Sequence, residues 1–250
     1  MQMTRKRTSY WPGQADKPAI LLMHSLGDSP NQVESLAESL QQEGYALYLP
    51  YYRSHQEGDL KMVLTAPLST YLEDARSALS FLKKEGHQNV VAAGLSLGAF
   101  LALALACETD QVQAVISLSC PILTDLRQTR IPYFMRQKYY RSLEGVPTVA
   151  DRDQAQELFE EFDQVLSGMN QWMDENFERL ASLDQPVFIG HGQADEVVSV
   201  QVAERLCRLL STKGKPSLHI YPQANHYLEG DSVKNCLVQD ICHFLASLSI

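Results

Sequence analysis

Ser96 lies in the stretch Gly94-Leu95-Ser96-Leu97-Gly98, with a glycine two residues to either side. An apolar run at 90–93 leads into it and another, at 100–107, leads away. A strand that turns sharply into a helix forces the residues before and after the turn together, and only glycine tolerates that approach. The serine between them is held in a strained conformation at a helix N-terminus, where free N–H groups favour negative charge. That placement suits a nucleophile. A serine hydroxyl attacks only when a base takes its proton, and the usual base is a histidine oriented by a carboxylate. Seven histidines are present: His24, His55, His87, His191, His219, His226 and His243. Downstream of Ser96, His191 follows the strand-like run 186–189 and His226 follows the run 218–221, whereas His219 lies within its run and His243 within a helical pattern. The turn after 189 also carries Asp195 and Glu196. We assign His226 as base and Asp195, the usual acid type in such turns, as its orienting acid. Parallel strands place both on one edge of a sheet.

Those assignments require a particular set of elements. Apolar runs at 19–24, 45–49, 89–93, 113–118, 186–189 and 218–221 read as strands, and residues 6–11 as an edge strand. Helical spacing occupies 31–43, 69–85, 97–107, 200–210 and 233–248, and 51–67 reads as loop. This alternation predicts an α/β fold, a mostly parallel sheet with helices on both faces. It breaks between 121 and 182, where helical pieces at 133–142, 151–164 and 168–180 hold Tyr133, Phe134, Tyr139, Tyr140, Phe159, Phe162, Trp172 and Phe177. We expect one domain over 1–250, with a core of 1–120 and 183–250 and a helical cap at 121–182 whose aromatics line a substrate pocket. An acyl-transfer site also needs two backbone N–H groups facing the oxygen that becomes negative. One is the amide of Leu97, after the nucleophile. The other belongs to the loop His24-Ser25-Leu26-Gly27, with Leu26 the expected donor and Ser25 its rival.

Composition narrows the partners. The formal net charge of −9 argues against nucleic acid or an anionic membrane surface. Five cysteines, widely spaced and without a Cys-x-x-Cys, read as small apolar residues of a reducing compartment, with neither disulfide framework nor zinc site. Arg5, Lys6 and Arg7 are not followed by the apolar stretch of a signal peptide, and the longest apolar run, 95–107, is too short to span a bilayer. The expectation is a cytoplasmic protein acting on a small molecule; oligomeric state stays open.

Four stretches carry a resemblance: Leu21-Leu22-Met23-His24-Ser25-Leu26-Gly27, Ala93-Gly94-Leu95-Ser96-Leu97-Gly98, His191-Gly192-Gln193-Ala194-Asp195-Glu196-Val197-Val198 and Asn225-His226. The chain resembles the α/β hydrolases, and among them is most similar to compact bacterial carboxylesterases related to monoacylglycerol lipases. The resemblance runs nearly end to end. It implies hydrolysis of short- to medium-chain carboxylic esters through an acyl-enzyme, with no cofactor or metal. Monoacylglycerol lipase, thioesterase and aryl (cinnamoyl-type) esterase chemistry would use the same groups, and a non-catalytic binding protein on this fold is the alternative of a different class. Three departures bear on the oxyanion loop: Ser25 and Ala99 stand where the family usually or often has glycine, and Ser54-His55-Gln56 where it often has Gly-His-Gly.

Overall fold

The computed structural model describes residues 8–55, 58–143, 146–212, 214 and 216–248. Among them seven strands form one sheet in the order β1-β3-β2-β4-β5-β6-β7. The strands are β1 (Ser9–Trp11), β2 (Ala19–Met23), β3 (Ala46–Leu49), β4 (Val90–Leu95), β5 (Val112–Leu118), β6 (Val187–Gly192) and β7 (Ser217–Tyr221). Only the short β1 runs antiparallel, against β3; every other pairing is parallel. This is the expected α/β hydrolase fold.

Alternation along the strands divides the core in two. Ile20 and Leu22 of β2, with Val91 and Ala93 of β4, pack on Val33, Ala37 and Leu40 of α1 (Asn31–Gln42) and on Leu237, Ile241 and Leu245 of α9 (Asp231–Ala246). Leu21, Met23 and Ala92 point the other way, towards α3 (Leu68–Lys84), α4 (Leu97–Glu108) and α8 (Gln201–Leu210). Such burial on both faces explains why these strands are continuously apolar. Helix α4 is apolar all round and buried from Leu97 to Ala106, as a helix enclosed on every side must be. No helix among the described residues is long and apolar enough to cross a membrane.

Between β5 and β6 the chain forms α5 (Ile131–Ser142), α6 (Val149–Glu175) and α7 (Phe177–Ala181). The two helical pieces expected at 151–164 and 168–180 are mostly one helix of 27 residues. A capping box between Thr148 and Asp151 starts it. Gly168 does not break it, because Leu166 and Met169 on either side are buried and hold the helix in place. The stretch 51–67 is likewise not all loop. It contains a 3-10 turn at Arg53–His55 and helix α2 (Leu60–Thr65), started by the Asp59 carboxylate, which accepts the Lys61 N–H at 2.8 Å. The expected edge strand at 6–11 is β1; its residues 6 and 7 lie outside the described residues.

Candidate active site

The turn at Ser96 has the geometry that its glycines imply. Ser96 has φ 54° and ψ −111°, a conformation that costs a non-glycine residue roughly 1–3 kcal/mol. A Cβ on Gly94 would lie 2.2 Å from the carbonyl carbon of Gly98, and one on Gly98 would lie 2.1 Å from the Met23 carbonyl oxygen. Either substitution would push β4, α4 and β2 apart. The Ser96 N–H donates to the Leu118 carbonyl at 2.9 Å and ties the turn to the end of β5.

Asp195 and His226 sit on loops that follow β6 and β7. By its residue types the sixth strand ends at 189 and His191 lies in the turn beyond it. The strand instead continues to Gly192, with His191 opposite Ile220 and Gly192 opposite Tyr221. Turn-forming residues here are overruled by a partner strand whose backbone needs pairing. The two loops then bond to each other. Gln193 N–H donates to the Tyr221 carbonyl at 2.9 Å, and Ala194 N–H to the Ala224 carbonyl at 3.0 Å. A Cβ on Gly192 would come within 2.3 Å of the Ala224 oxygen, so glycine is what lets the loops meet.

His226 Nδ1 lies 2.8 Å from Asp195 Oδ2. The other oxygen, Oδ1, accepts the Val197 and Val198 N–H groups, each at 2.8 Å. The Asp195 side chain is completely buried. Burial by itself would raise its carboxyl; the hydrogen bonds from His191 and His226, the charge on His226 and the Val198 amide outweigh burial and hold it well below the usual carboxylate range. The His226 backbone N–H reaches Glu196 Oε2 at 3.3 Å, so the rejected acid contacts the histidine's main chain while Asp195 contacts its ring.

Ser96 and His226 line one pocket of about 50 Å³, together with Leu26 and Leu97. Its roof is hydrocarbon: Ile131, Phe134 and Met135 from α5, Leu166 and Met169 from α6. Of the aromatics concentrated at 121–182, Phe134 is the one that lines it. Tyr139, Phe159 and Phe162 are buried in the core, Tyr133 is exposed, and Trp172 packs on Phe100 of α4 at 5.0 Å. The larger hollow, about 760 Å³ between Asp125, Phe177 and Arg208, holds neither Ser96 nor His226. Among the described residues no group of three or more His, Cys, Asp or Glu could hold a metal ion.

The loop after β2 is fixed by side chains from elsewhere. Ser25 N–H donates to Gln32 Oε1 at 2.9 Å, and Gly27 N–H to His55 Nε2 at 2.8 Å. Tyr52 donates its hydroxyl to the His24 carbonyl at 2.9 Å. Because His55 Nε2 accepts, its Nδ1 carries the proton and faces Ser54 Oγ at 3.0 Å. Burial, with His24 and Lys138 nearby, pushes the His55 imidazole down to about 3 and keeps it neutral. Lys138 of α5 pairs with Asp28 at 3.0 Å, and Gln32 Nε2 donates to the same Asp28 oxygen at 3.2 Å. In the sequence His55 stands out only as a departure from a family pattern, and nothing around Gln32 marks it.

Comparison with known proteins agrees with this architecture. Residues 14–149 match the model of a family described as serine aminopeptidase, S33 (Hydrolase_4). A carboxylesterase of Bacillus subtilis (strain 168) is 23% identical over 237 residues, which is 92% of this chain and 93% of that protein. Among solved structures, a monoacylglycerol lipase of Paleococcus ferrophilus superposes with a TM-score of 0.69 at 15% identity, over 96% of this chain and 98% of the other. A carboxylesterase of the thaumarchaeon Nitrososphaera gargenis superposes with a TM-score of 0.66 at 15% identity, over 96% of each chain. At these identities the structural likenesses speak for the fold.

Proposed function

The chain belongs to the serine aminopeptidase S33 (Hydrolase_4) family of α/β hydrolases, and from that membership we propose that it is a serine carboxylesterase acting on short- to medium-chain esters. Ser96 attacks the ester carbonyl, His226 takes the serine proton and passes it to the leaving alcohol, and Asp195 orients the imidazole and stabilises its charged form. Water activated by His226 then releases the acid from the acyl-enzyme. The observation that carries this reading is the meeting of Ser96 and His226 in one apolar pocket, with Asp195 2.8 Å behind the histidine.

The Leu26 and Leu97 amides stabilise the oxyanion in this scheme. Leu97 opens α4, where an N–H has no partner within its helix. Leu26 is favoured over Ser25 because the amides on both sides of it are already committed, to Gln32 and to His55. We read 121–182 as a cap that roofs the acyl site. Hydrocarbon walls suit an acyl chain and would leave the ammonium of a peptide N-terminus without a counter-charge. That favours ester hydrolysis over the aminopeptidase activity in the family's description. The B. subtilis relative, a carboxylesterase, points the same way.

Replacing Ser96 with alanine is expected to abolish hydrolysis of p-nitrophenyl acetate and butyrate and labelling by a fluorophosphonate, with an unchanged circular dichroism spectrum. Wild-type turnover in that variant would overturn the assignment.

A further inference from the structure

Asp195 Oδ2 has two imidazole neighbours. One is His226 Nδ1 at 2.8 Å; the other is His191 Nε2 at 3.0 Å. The His191 ring is 1% exposed, and its position in β6 is fixed by the pairing with β7. The same Nε2 lies 3.0 Å from the Val198 carbonyl oxygen. Both neighbours of Nε2 are acceptors, so this nitrogen carries a proton and shares it between them. Nδ1 is buried without a hydrogen-bond partner. A bare acceptor is tolerable at Nδ1, whereas the other neutral tautomer would orphan an N–H there and set a lone pair at Nε2 against two oxygens. The carboxylate thus has four donors: two backbone amides on Oδ1 and two histidines on Oδ2.

We propose that His191 is a positioning residue for the hydrolytic reaction: its Nε2–H competes with His226 for Asp195 Oδ2, and so sets how tightly the base holds its proton. The inference rests on the triad assigned above. A carboxylate that shares its charge with a second donor is a weaker partner for His226. His226 therefore gives up its proton more readily, and stays available as a base at lower pH, than it would beside Asp195 alone. The Val198 carbonyl fixes the His191 ring against rotation, so the competing donor is always in place.

Other ionisable groups surround the pair. Tyr227 and Glu229 are on the histidine loop, Glu196 is on the acid loop and Asp28 is on the loop after β2; Glu196, Glu229, Asp28 and Asp195 all lie within electrostatic reach of Tyr227. Arg130, just before α5, shares a surface hollow with Asp195 and Glu196. Their influence is common to the wild type and to variants at 191.

The test is the pH dependence of fluorophosphonate labelling at Ser96, which needs no knowledge of the natural ester, together with kcat/KM for p-nitrophenyl butyrate. In His191→Leu the acid limb of both profiles is expected to move up by about half a unit to one unit. In His191→Gln, whose amide can donate to both the Asp195 and Val198 oxygens without titrating, the limb is expected to return to its wild-type position. A folded leucine variant with an unmoved limb overturns the proposal. If the leucine variant does not fold, the glutamine variant decides: a wild-type profile supports a donor role, and a displaced one overturns it. Wild-type protein that is not labelled at Ser96 fails the esterase reading itself, whereas a labelled wild type with an insensitive leucine variant fails only the role given to His191.

Discussion

The two sides of the site that flank Ser96 are built in opposite ways. On one side, the acid and histidine loops are extensions of β6 and β7, bonded backbone to backbone through Gln193 and Ala194. The Asp195 side chain is buried and neither of its oxygens is unused. On the other side, the loop after β2 is held by side chains reaching in from α1 (Gln32), from the 3-10 turn and the residue before it (His55 and Tyr52) and from α5 (Lys138). The difference separates what the reaction keeps constant from what a substrate can vary. In the proposed mechanism proton transfer requires one arrangement, and the edge of the sheet would supply it. The oxyanion and acyl walls rest on side chains that substitution can alter without disturbing the sheet.

This contrast can be broken from either side. The largest effect is expected from Asp195→Asn, which keeps the shape of the loop but favours the wrong tautomer of His226. A fall in kcat of about 10⁴-fold follows, read by p-nitrophenyl butyrate turnover. A fall of less than tenfold would mean that the rigid side does not carry the proton chemistry. His55→Leu should be milder in turnover. Removing the acceptor of the Gly27 N–H frees the oxyanion loop, and kcat is expected to fall towards the roughly 10²-fold cost of a lost oxyanion donor, with KM nearly constant.

The same substitution should alter acid stability. The folded state holds His55 neutral down to about 3, against an ordinary value of 6.5. The unfolded chain therefore binds the proton first as pH falls. The stability tied to this neutral imidazole is complete above about 6.5 and drains away as pH drops towards 3. Urea melts across that window should show a shallower loss in His55→Leu than in the wild type; parallel losses would contradict the role given to His55. The smallest effect is expected from Lys138→Met. The Lys138–Asp28 pair is about one-third exposed on each side, so thermal melts should register less than about 1 kcal/mol.

Much of the reactive side is legible in the sequence, because its signals are local. Gly94 and Gly98 announce a close approach, and Asp195 and His226 each follow a strand-like run. The supporting partners are not local. His55 meets Gly27, and His191 meets Val198 and Asp195, only after β3 and β6 take their places in the sheet. Nothing in the flanking residues marks either histidine as different from a satisfied core residue. The run Gly190-His191-Gly192 looks like a turn until β7 offers it a partner. Gly168 looks like a helix end until burial of Leu166 and Met169 carries α6 past it. Of the aromatics at 121–182 only Phe134 lines the pocket; Tyr139, Phe159 and Phe162 cover core, and isoleucine, leucine and methionine side chains complete the lining.

Helix α6 has a further consequence. Its 27 residues span about 40 Å at the rise of an α-helix, and the pocket roof is a short patch in its second half. Leu166 and Met169 cannot lift away alone. The same rod carries Trp172, whose ring packs at a tilt on Phe100 of α4, and Phe159 and Phe162 in the core. It behaves as a beam, fixed near the pocket and well before it, with no hinge where a door would need one. The other half of the roof belongs to α5, which is 12 residues long, has few buried side chains and is fastened through Lys138 by a partly exposed ion pair. If the proposed esterase reading holds, any opening of the roof above Ser96 would come from the α5 side, with Phe134 and Met135 at the part of the pocket wall it carries.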